Sequence, residues 1–403
     1  MQFVENPFFT KIIIPDKYFC DREKDTQTLL NLIKNGYNIV LKSPRRLGKS
    51  SLIMHIFNKE EIRASYNTLF VDIYGTKNMQ EFTREFQNAF MEAPFAIGKR
   101  GAKKVEQLLA RAYVQMNISQ DGAVSGFRLG LNQAQEPDMY LPLREMFSFL
   151  EKTNKPNIVV FDEFQTILDY PEKAAAIIRS LVQKLSNTSF IFSGSASHLL
   201  DKMFEYPNEP FYRSATPLNL QPIPLEIYQD FAVRMFGMYG KDVEREAVGK
   251  VYHLFSANTY DIQEVMKGAF SITAKRKTAG IQTVMESIND ILDRRDADFR
   301  GILDRLGNVK ERSVLFCIAR EGIATGLMSS AMIGKYRLDN ASSVQNALKS
   351  LTSEEKNLVK RIGNGYMLRD RFFELWIARS DRRLPLLVDN ADLRYSRELE
   401  LMA

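Results

Sequence analysis

Residues 43 to 51 combine glycine, lysine and hydroxyl side chains in an order suited to binding an anion. They read Ser43-Pro44-Arg45-Arg46-Leu47-Gly48-Lys49-Ser50-Ser51, close to the pattern G-x-x-x-x-G-K-[ST]. In such a loop the backbone N–H groups converge on the anion, Lys49 supplies a positive charge, and Ser50 supplies a hydroxyl for a metal ion. Ser43 stands where the pattern has its first glycine. We expect all of these residues to line a site for the phosphates of a nucleotide.

The residues on either side of this segment support that interpretation. Asn38-Ile39-Val40-Leu41 is an apolar run that predicts a buried strand, and Ser51–Phe57 predicts a helix. The pattern binds phosphate when a strand precedes it and a helix follows, because the helix N-terminus adds positive potential. The tripeptide Gly-Lys-Ser also arises by chance in chains of this length, so the prediction depends on this context.

A second pair of chemically capable residues follows the apolar run Ile158–Phe161. Asp162-Glu163 would stand at the carboxyl end of a buried strand, which is the edge where open parallel sheets bind ligands. Asp162 would hold Mg²⁺ beside Ser50, directly or through water, and Glu163 would polarise a water molecule for attack on the γ-phosphate. The alternative is that the two carboxylates only open a loop or cap the next helix.

Two further segments carry weaker signals. Ser193-Gly194-Ser195 ends a predicted strand, where Ser193 or Ser195 would hydrogen-bond the γ-phosphate or the attacking water, or would simply form an ordinary turn. Arg213 follows Phe211-Tyr212. Arg213 matters only if it points at the nucleotide of its own chain or of a neighbouring copy, where its charge would stabilise the transition state.

Composition excludes several classes of protein. The two cysteines, Cys20 and Cys317, are too few for a disulfide framework or a zinc site, which favours a reducing cytoplasm. The three histidines show no metal-ligand spacing. No apolar run reaches the roughly 18 residues of a membrane span, so no membrane association is expected. A net charge of +6 permits contact with nucleic acid but does not require it.

The chain of 403 residues predicts two or three domains. Strands alternate with helices over residues 1–223, apart from an insertion at about 98–138, and predict an α/β core with a mostly parallel sheet covered on both faces. Four helical patterns over 224–307 predict a helical domain. Over 308–403, three short helices and two strands joined by Gly363-Asn364-Gly365 predict a winged helix followed by a C-terminal tail.

Together these motifs resemble the archaeal-type ATPases of the STAND (signal-transduction ATPase) branch of AAA+-related P-loop proteins. Phe19-Cys20-Asp21-Arg22-Glu23 resembles the F-x-x-R-E element of that family, and Pro44–Leu52 resembles its G-P-R-R-x-G-K-T-S-L loop. Phe161–Gln165 resembles its D-E-x-Q element. Ser193–Ser195 resembles the Gly-Ser at the end of its sensor strand, and Phe211–Arg213 resembles its Y-x-R region.

The resemblance implies an AAA+-like core followed by a helical lid and a winged helix. It implies ATP and Mg²⁺ as cofactors, hydrolysis of ATP to ADP and phosphate, and contact between Arg22 and the adenine side of the nucleotide. Ala257–Tyr260 departs from the family, which usually has a Gly-x-Pro turn at this place in the lid.

Three functions fit these observations. The first is a Mg²⁺-dependent ATPase that acts as a nucleotide-controlled switch and that contacts a protein partner or a second copy through its C-terminal half. The second is a DNA-associated ATPase with Ser342–Leu351 as recognition helix and Arg361, Arg369 and Arg371 near the wing; the adjacent Glu354-Glu355 makes DNA the less favoured partner. The third is a small-molecule kinase, and the long helical C-terminal half argues against it.

Overall fold

The computed structural model describes residues 6–20, 22–93, 95, 140–195, 197–353 and 355–402. The predicted insertion at about 98–138 lies outside these residues. The chain divides into two compact units, one of which is Lys11–Gln221. The other consists of Pro222–Ala403 together with the N-terminal segment that ends at Thr10. The predicted boundary near residue 308 falls inside this second unit and stays a prediction.

The first unit is built on a parallel five-stranded sheet, as the sequence predicts. Its strand order is β2-β3-β4-β1-β5, and every pair of neighbours is parallel. The strands are β1 (Ile39–Lys42), β2 (Asn67–Asp72), β3 (Asn157–Asp162), β4 (Thr188–Gly194) and β5 (Thr216–Asn219). The sequence patterns did not predict β5, because this edge strand has no buried residue and therefore no apolar run.

Helices cover both faces of this sheet. They are α1 (Glu23–Lys34), α2 (Lys49–Asn58), α3 (Glu60–Ser65), α4 (Met79–Glu92), α5 (Leu141–Glu151), α6 (Ala174–Val182) and α7 (Ser197–Glu205). Neighbouring residues of a strand point to opposite faces, so Val40 joins the apolar cluster with α4 and α5 while Leu41 joins the cluster with α1 and α2. Burial on both faces explains why β1, β3 and β4 appear in the sequence as continuous apolar runs.

The position of β4 between β1 and β3 determines which chain segments meet. Parallel strands end at the same edge of a sheet, so the segments after β1, β3 and β4 lie side by side. In the register of the sheet Lys42 pairs with Gly194, and Phe161 pairs with Phe192. The loop after Lys42, the Asp162-Glu163 pair and Ser193 are therefore brought together although they are far apart in sequence.

The second unit begins with helices, as predicted. They are α8 (Leu225–Gly237), α9 (Arg245–Leu254), α10 (Thr259–Ile272), α11 (Ile281–Arg294) and α12 (Asp296–Arg305). The two-residue strands β6 (Asp242–Val243) and β7 (Thr278–Ala279) pair in parallel between them. Phe8, which the sequence analysis assigned to the α/β core, packs against the rings of Phe231, Phe236 and Phe270 in this unit.

A winged helix follows and confirms the prediction from the hairpin. Its elements are α13 (Val309–Glu321), β8 (Ala324–Thr325), α14 (Ser330–Tyr336), α15 (Ala341–Leu351), β9 (Val359–Ile362) and β10 (Gly365–Leu368), with an antiparallel sheet in the order β8-β10-β9. The segment predicted as a tail forms three more helices, α16 (Arg371–Ser380), α17 (Leu384–Asp389) and α18 (Ala391–Met402). No helix in the described part of the chain is both long and apolar enough to cross a membrane.

Candidate functional site at the carboxyl edge of the sheet

The phosphate loop, from Ser43 to Gly48, joins the end of β1 to the start of α2. Gly48 has φ 90° and directly precedes the helix, a left-handed conformation that glycine adopts at least cost. Leu47 is buried and anchors the loop, whereas Pro44, Arg45 and Arg46 are exposed. The turn directs the first backbone N–H groups of α2 toward the loop, which is the arrangement that binds phosphate.

The side chain of Lys49 lies along the inside of this loop. Its ammonium group donates to the backbone oxygen of Ser43 at 3.1 Å and to the Ser43 hydroxyl at 3.3 Å, and the residue is 6% exposed. Burial lowers the pKa of Lys49, while the charges of Glu163 and Asp162 act in the opposite direction. A charged donor with only neutral hydrogen-bond acceptors is ready to exchange them for phosphate oxygens.

Ser50, in the first turn of α2, and Asp162, the last residue of β3, meet at the carboxyl edge of the sheet. The Ser50 hydroxyl donates to the Asp162 carboxylate at 2.6 Å. Burial raises the pKa of Asp162, and hydrogen bonding from Ser50 together with the nearby Ser193 hydroxyl lowers it. Ser193 is fully buried, and its hydroxyl makes no hydrogen bond of normal geometry within the described residues. A hydroxyl and a carboxylate side by side are oxygen ligands of the kind Mg²⁺ prefers.

Glu163 has a strained backbone and an anchored carboxylate. Its φ is 56°, a left-handed conformation that non-glycine residues adopt rarely and often at functional sites. One oxygen, Oε2, accepts from the Ser195 hydroxyl at 2.8 Å and from the Gln165 amide at 2.5 Å. The Ser195 hydroxyl also accepts from Arg45 Nε at 3.3 Å, which links Glu163 to the phosphate loop. Sequence reasoning assigned no role to Gln165.

Arg22 contacts the backbone of the phosphate loop through hydrogen bonds. It is 7% exposed and donates to the backbone oxygen of Leu47 at 2.8 Å and to that of Gln221 at 2.7 Å. It also pairs with Asp25 at 3.0 Å. Arg22 therefore holds the backbone of the phosphate loop, and its predicted contact with adenine stays a prediction.

Arg213 lies apart from this group of residues. It lines a cavity of about 300 Å³ together with Lys42, Glu205 and neighbouring apolar residues, and its guanidinium lies 5.0 Å from the ring of Tyr212. Lys42 is paired there with Asp201 and Glu205. Within the described residues, no hydrogen bond or ion pair joins the Arg213 side chain to the phosphate loop. Its catalytic role stays a prediction.

The sheet thus assembles most of the predicted residues at one edge. Ser43, Lys49 and Ser50 come from the loop and α2. Asp162 is the last residue of β3 and Glu163 follows it, whereas Ser193 lies near the end of β4 and Ser195 follows that strand. This arrangement brings a buried positive charge, a hydroxyl–carboxylate pair and an anchored second carboxylate into one site. Such a group can bind phosphate and a divalent cation and can polarise a water molecule.

Solved structures with a similar fold include nucleotide-binding proteins. A Walker-type ATPase of Pyrococcus abyssi is 17% identical, with a TM-score of 0.58 over 92% of this chain and 99% of that one. The ORC2 protein of Aeropyrum pernix, solved in ADPNP–ADP complexes, is 14% identical, with a TM-score of 0.54 over 98% of each chain. These likenesses show the fold. A comparison with curated proteins found no significant match.

Two family models match the chain. The model of a probable winged helix domain matches residues 297–379. The model of an ATPase domain predominantly from Archaea matches residues 19–265, which is more than half of the chain and includes every residue of the site described above. The chain therefore belongs to this archaeal-type family of P-loop ATPases.

Proposed function

We propose that the protein is a Mg²⁺-dependent ATPase of the signal-transduction type, in which bound nucleotide controls the state of the C-terminal half. The observation that supports it best is the 2.6 Å hydrogen bond between Ser50 and Asp162 beside the buried Lys49. Groups suited to binding phosphate and a metal ion therefore lie close to Glu163, which we propose as the residue that acts on water.

Binding begins with the charge of Lys49. The β- and γ-phosphates of ATP would replace the Ser43 oxygens as acceptors of the Lys49 ammonium, while the backbone N–H groups around Gly48 contact the same phosphates. Ser50 and Asp162 would hold Mg²⁺, which neutralises charge on the phosphate oxygens when bound. Both residues supply oxygen, and both already lie within hydrogen-bond distance of each other.

Glu163 would orient the attacking water and accept its proton. Its Oε2 atom is occupied by Ser195 and Gln165, so Oε1 is the atom left to contact water. Ser193 is buried beside Asp162, and its hydroxyl makes no hydrogen bond of normal geometry within the described residues, so it would donate to the γ-phosphate or to the same water. Inorganic phosphate and ADP are the expected products.

Replacement of Glu163 by glutamine tests this assignment. Glu163→Gln should bind ATP as tightly as the wild type, because shape and polarity are kept, and should lose hydrolysis by about 100-fold or more because the general base is gone. The matched control Glu60→Gln alters an exposed carboxylate on α3 and should leave both quantities unchanged. Normal hydrolysis by Glu163→Gln would show that another base acts. Phosphate release should equal ATP consumed; a phosphorylated acceptor would indicate a kinase.

The switch function rests on the domain composition, since an ATPase domain and a winged helix occur in one chain. Hydrogen exchange of the second unit, measured in the ATP-bound Glu163→Gln variant and in the ADP-bound wild type, would test it. We expect different protection of α8 to α18 in the two states. Identical exchange throughout these helices would contradict the switch.

DNA is the second candidate partner. Helix α15 exposes Gln345, Asn346 and Lys349, and Arg361 is exposed on the wing, so a face with polar and basic side chains is available. Against DNA, a Cβ atom at Gly363 would lie 2.7 Å from the backbone oxygen of Leu401, so α18 already touches the wing turn. Duplex binding that weakens steeply with salt would support this candidate. Absence of binding at low salt would exclude it.

A further inference from the structure

The Glu163 carboxylate is held by hydrogen bonds from the side chains of Gln165 and Ser195. Gln165 donates to Oε2 at 2.5 Å and Ser195 donates to the same atom at 2.8 Å. Hydrogen bonds to an ionised acceptor are stronger than those between neutral groups. Because both donors share one oxygen, the carboxyl group keeps one rotational position and presents Oε1 alone to a reacting water.

The position of Gln165 depends on packing. The residue is 9% exposed, and its Oε1 atom is buried without a hydrogen bond within the described residues. A Cβ atom at Gly194 would lie only 2.1 Å from that Oε1 atom, far inside van der Waals contact. The amide can therefore lie between β4 and Glu163 only because residue 194 has no side chain.

We propose that Gln165 and Ser195 are positioning residues that fix the orientation of the Glu163 carboxylate for hydrolysis, and that Gly194 provides the space Gln165 needs. This inference rests on the proposed role of Glu163 as general base. It assigns to Ser195 a task different from direct contact with phosphate. Ser195 also connects the phosphate loop to Glu163, since Arg45 of the loop donates to the Ser195 hydroxyl at 3.3 Å.

Loss of either donor to Glu163 should lower kcat with little change in the affinity for ATP. Gln165→Ala removes one donor and frees the carboxylate to rotate, so kcat should fall about 10- to 100-fold while the Kd for ATP stays within about threefold. In Ser195→Ala, kcat should fall by a factor in the same range. Ser195→Thr retains the hydroxyl and should recover most of the activity, a recovery that a purely steric role would not predict.

Gly194→Ala supplies an independent test. The added methyl group must displace the Gln165 amide, so this variant should lose kcat to about the same extent as Gln165→Ala. In the double variant Gly194→Ala/Gln165→Ala the clash with the amide is absent. The methyl group then meets the flexible end of Leu200, at 3.0 Å, so kcat should stay within about threefold of that of Gln165→Ala alone. If the two losses instead multiply, Gly194 and Gln165 act separately and the inference fails.

Glu163→Gln separates failure of this inference from failure of the proposed function. If Glu163→Gln hydrolyses ATP normally, Glu163 is not the base and the proposed function itself is wrong. If Glu163→Gln is inactive but Gln165→Ala and Ser195→Ala both keep wild-type kcat, only the positioning role is wrong. In the Glu163→Gln background, Gln165→Ala should cause no further loss of the residual rate, and an additional loss would contradict the proposal.

Discussion

Replacing Lys49 with methionine isolates the contribution of one positive charge to nucleotide binding. The Lys49 side chain is 6% exposed, and its hydrogen bonds of 3.1 and 3.3 Å both go to Ser43. Methionine fills nearly the same volume as the lysine stem and makes no strong hydrogen bond. The packing of α2 should therefore persist in Lys49→Met, while the charged donor is lost.

The expected size of the effect follows from the kind of bond that is lost. In the wild type the ammonium exchanges neutral acceptors for charged phosphate oxygens. A hydrogen bond to a charged group contributes about 1.5 to 3 kcal/mol. Since each 1.4 kcal/mol changes an equilibrium constant about tenfold, the Kd for Mg²⁺–ATP should rise roughly 10- to 150-fold in Lys49→Met.

Calorimetric titration with ATP in the presence of Mg²⁺ measures this change directly. The control is Lys42→Met, which removes a second buried lysine, the last residue of β1. The Lys42 ammonium pairs with Asp201 and with Glu205 at 3.0 Å instead of pointing into the loop, so the affinity for ATP should stay within about threefold of the wild type. An unchanged Kd in Lys49→Met, or equal losses in both variants, would refute the assignment of the loop.

Three further outcomes are expected. Asp162→Asn should bind ATP with or without Mg²⁺ equally well, whereas the wild type gains affinity when Mg²⁺ is added; an undiminished gain in the variant would remove Asp162 from the metal site. Arg213→Ala should lower kcat without weakening ATP binding, and mixing it with Glu163→Gln should restore activity if Arg213 acts on a neighbouring copy; no recovery on mixing would place its action in its own chain. Burial raises the pKa of Glu374 from 4.5 to about 8, so the folded chain binds a proton that the unfolded chain releases, and the midpoint of thermal unfolding should fall as pH rises from about 5 to about 8. Glu374→Gln should reduce the dependence of this midpoint on pH. An unchanged dependence would show that Glu374 is ionised throughout the range.

Local patterns in the sequence predicted the chemistry of the site. Gly48, Lys49 and Ser50 are consecutive, and the strand before them and the helix after them are both encoded within a few residues. Asp162 and Glu163 follow an apolar run that is buried on both faces of the sheet. These signals lie within a few residues of one another along the chain. The phosphate loop and the acidic pair could therefore be predicted without the tertiary structure.

For three other residues, the folded chain reveals contacts that the sequence patterns do not. Gln165 acquires its task because Gly194 leaves space for its amide, and those two residues meet only when β3 and β4 pair. Arg22 supports Leu47 through a backbone oxygen, a contact that no side-chain pattern reveals. Arg213 lies in the cavity with Lys42, because the chain reaches β5 on that side of β1.

The C-terminal helices are a part of the fold that the sequence did not predict and that only the tertiary structure revealed. The sequence analysis predicted a winged helix and a C-terminal tail over 308–403 without assigning structure to the tail, and residues after the wing form α16, α17 and α18. Charged residues join these helices in the interior, since Arg371 of α16 and Glu398 of α18 are both buried and pair at 2.7 Å. A buried ion pair leaves no apolar periodicity in the sequence, so only the tertiary structure reveals it. The sequence by itself determined which groups we propose for phosphate and metal. The order of the strands decided which other side chains lie beside them, because that order brings together residues that are distant along the chain.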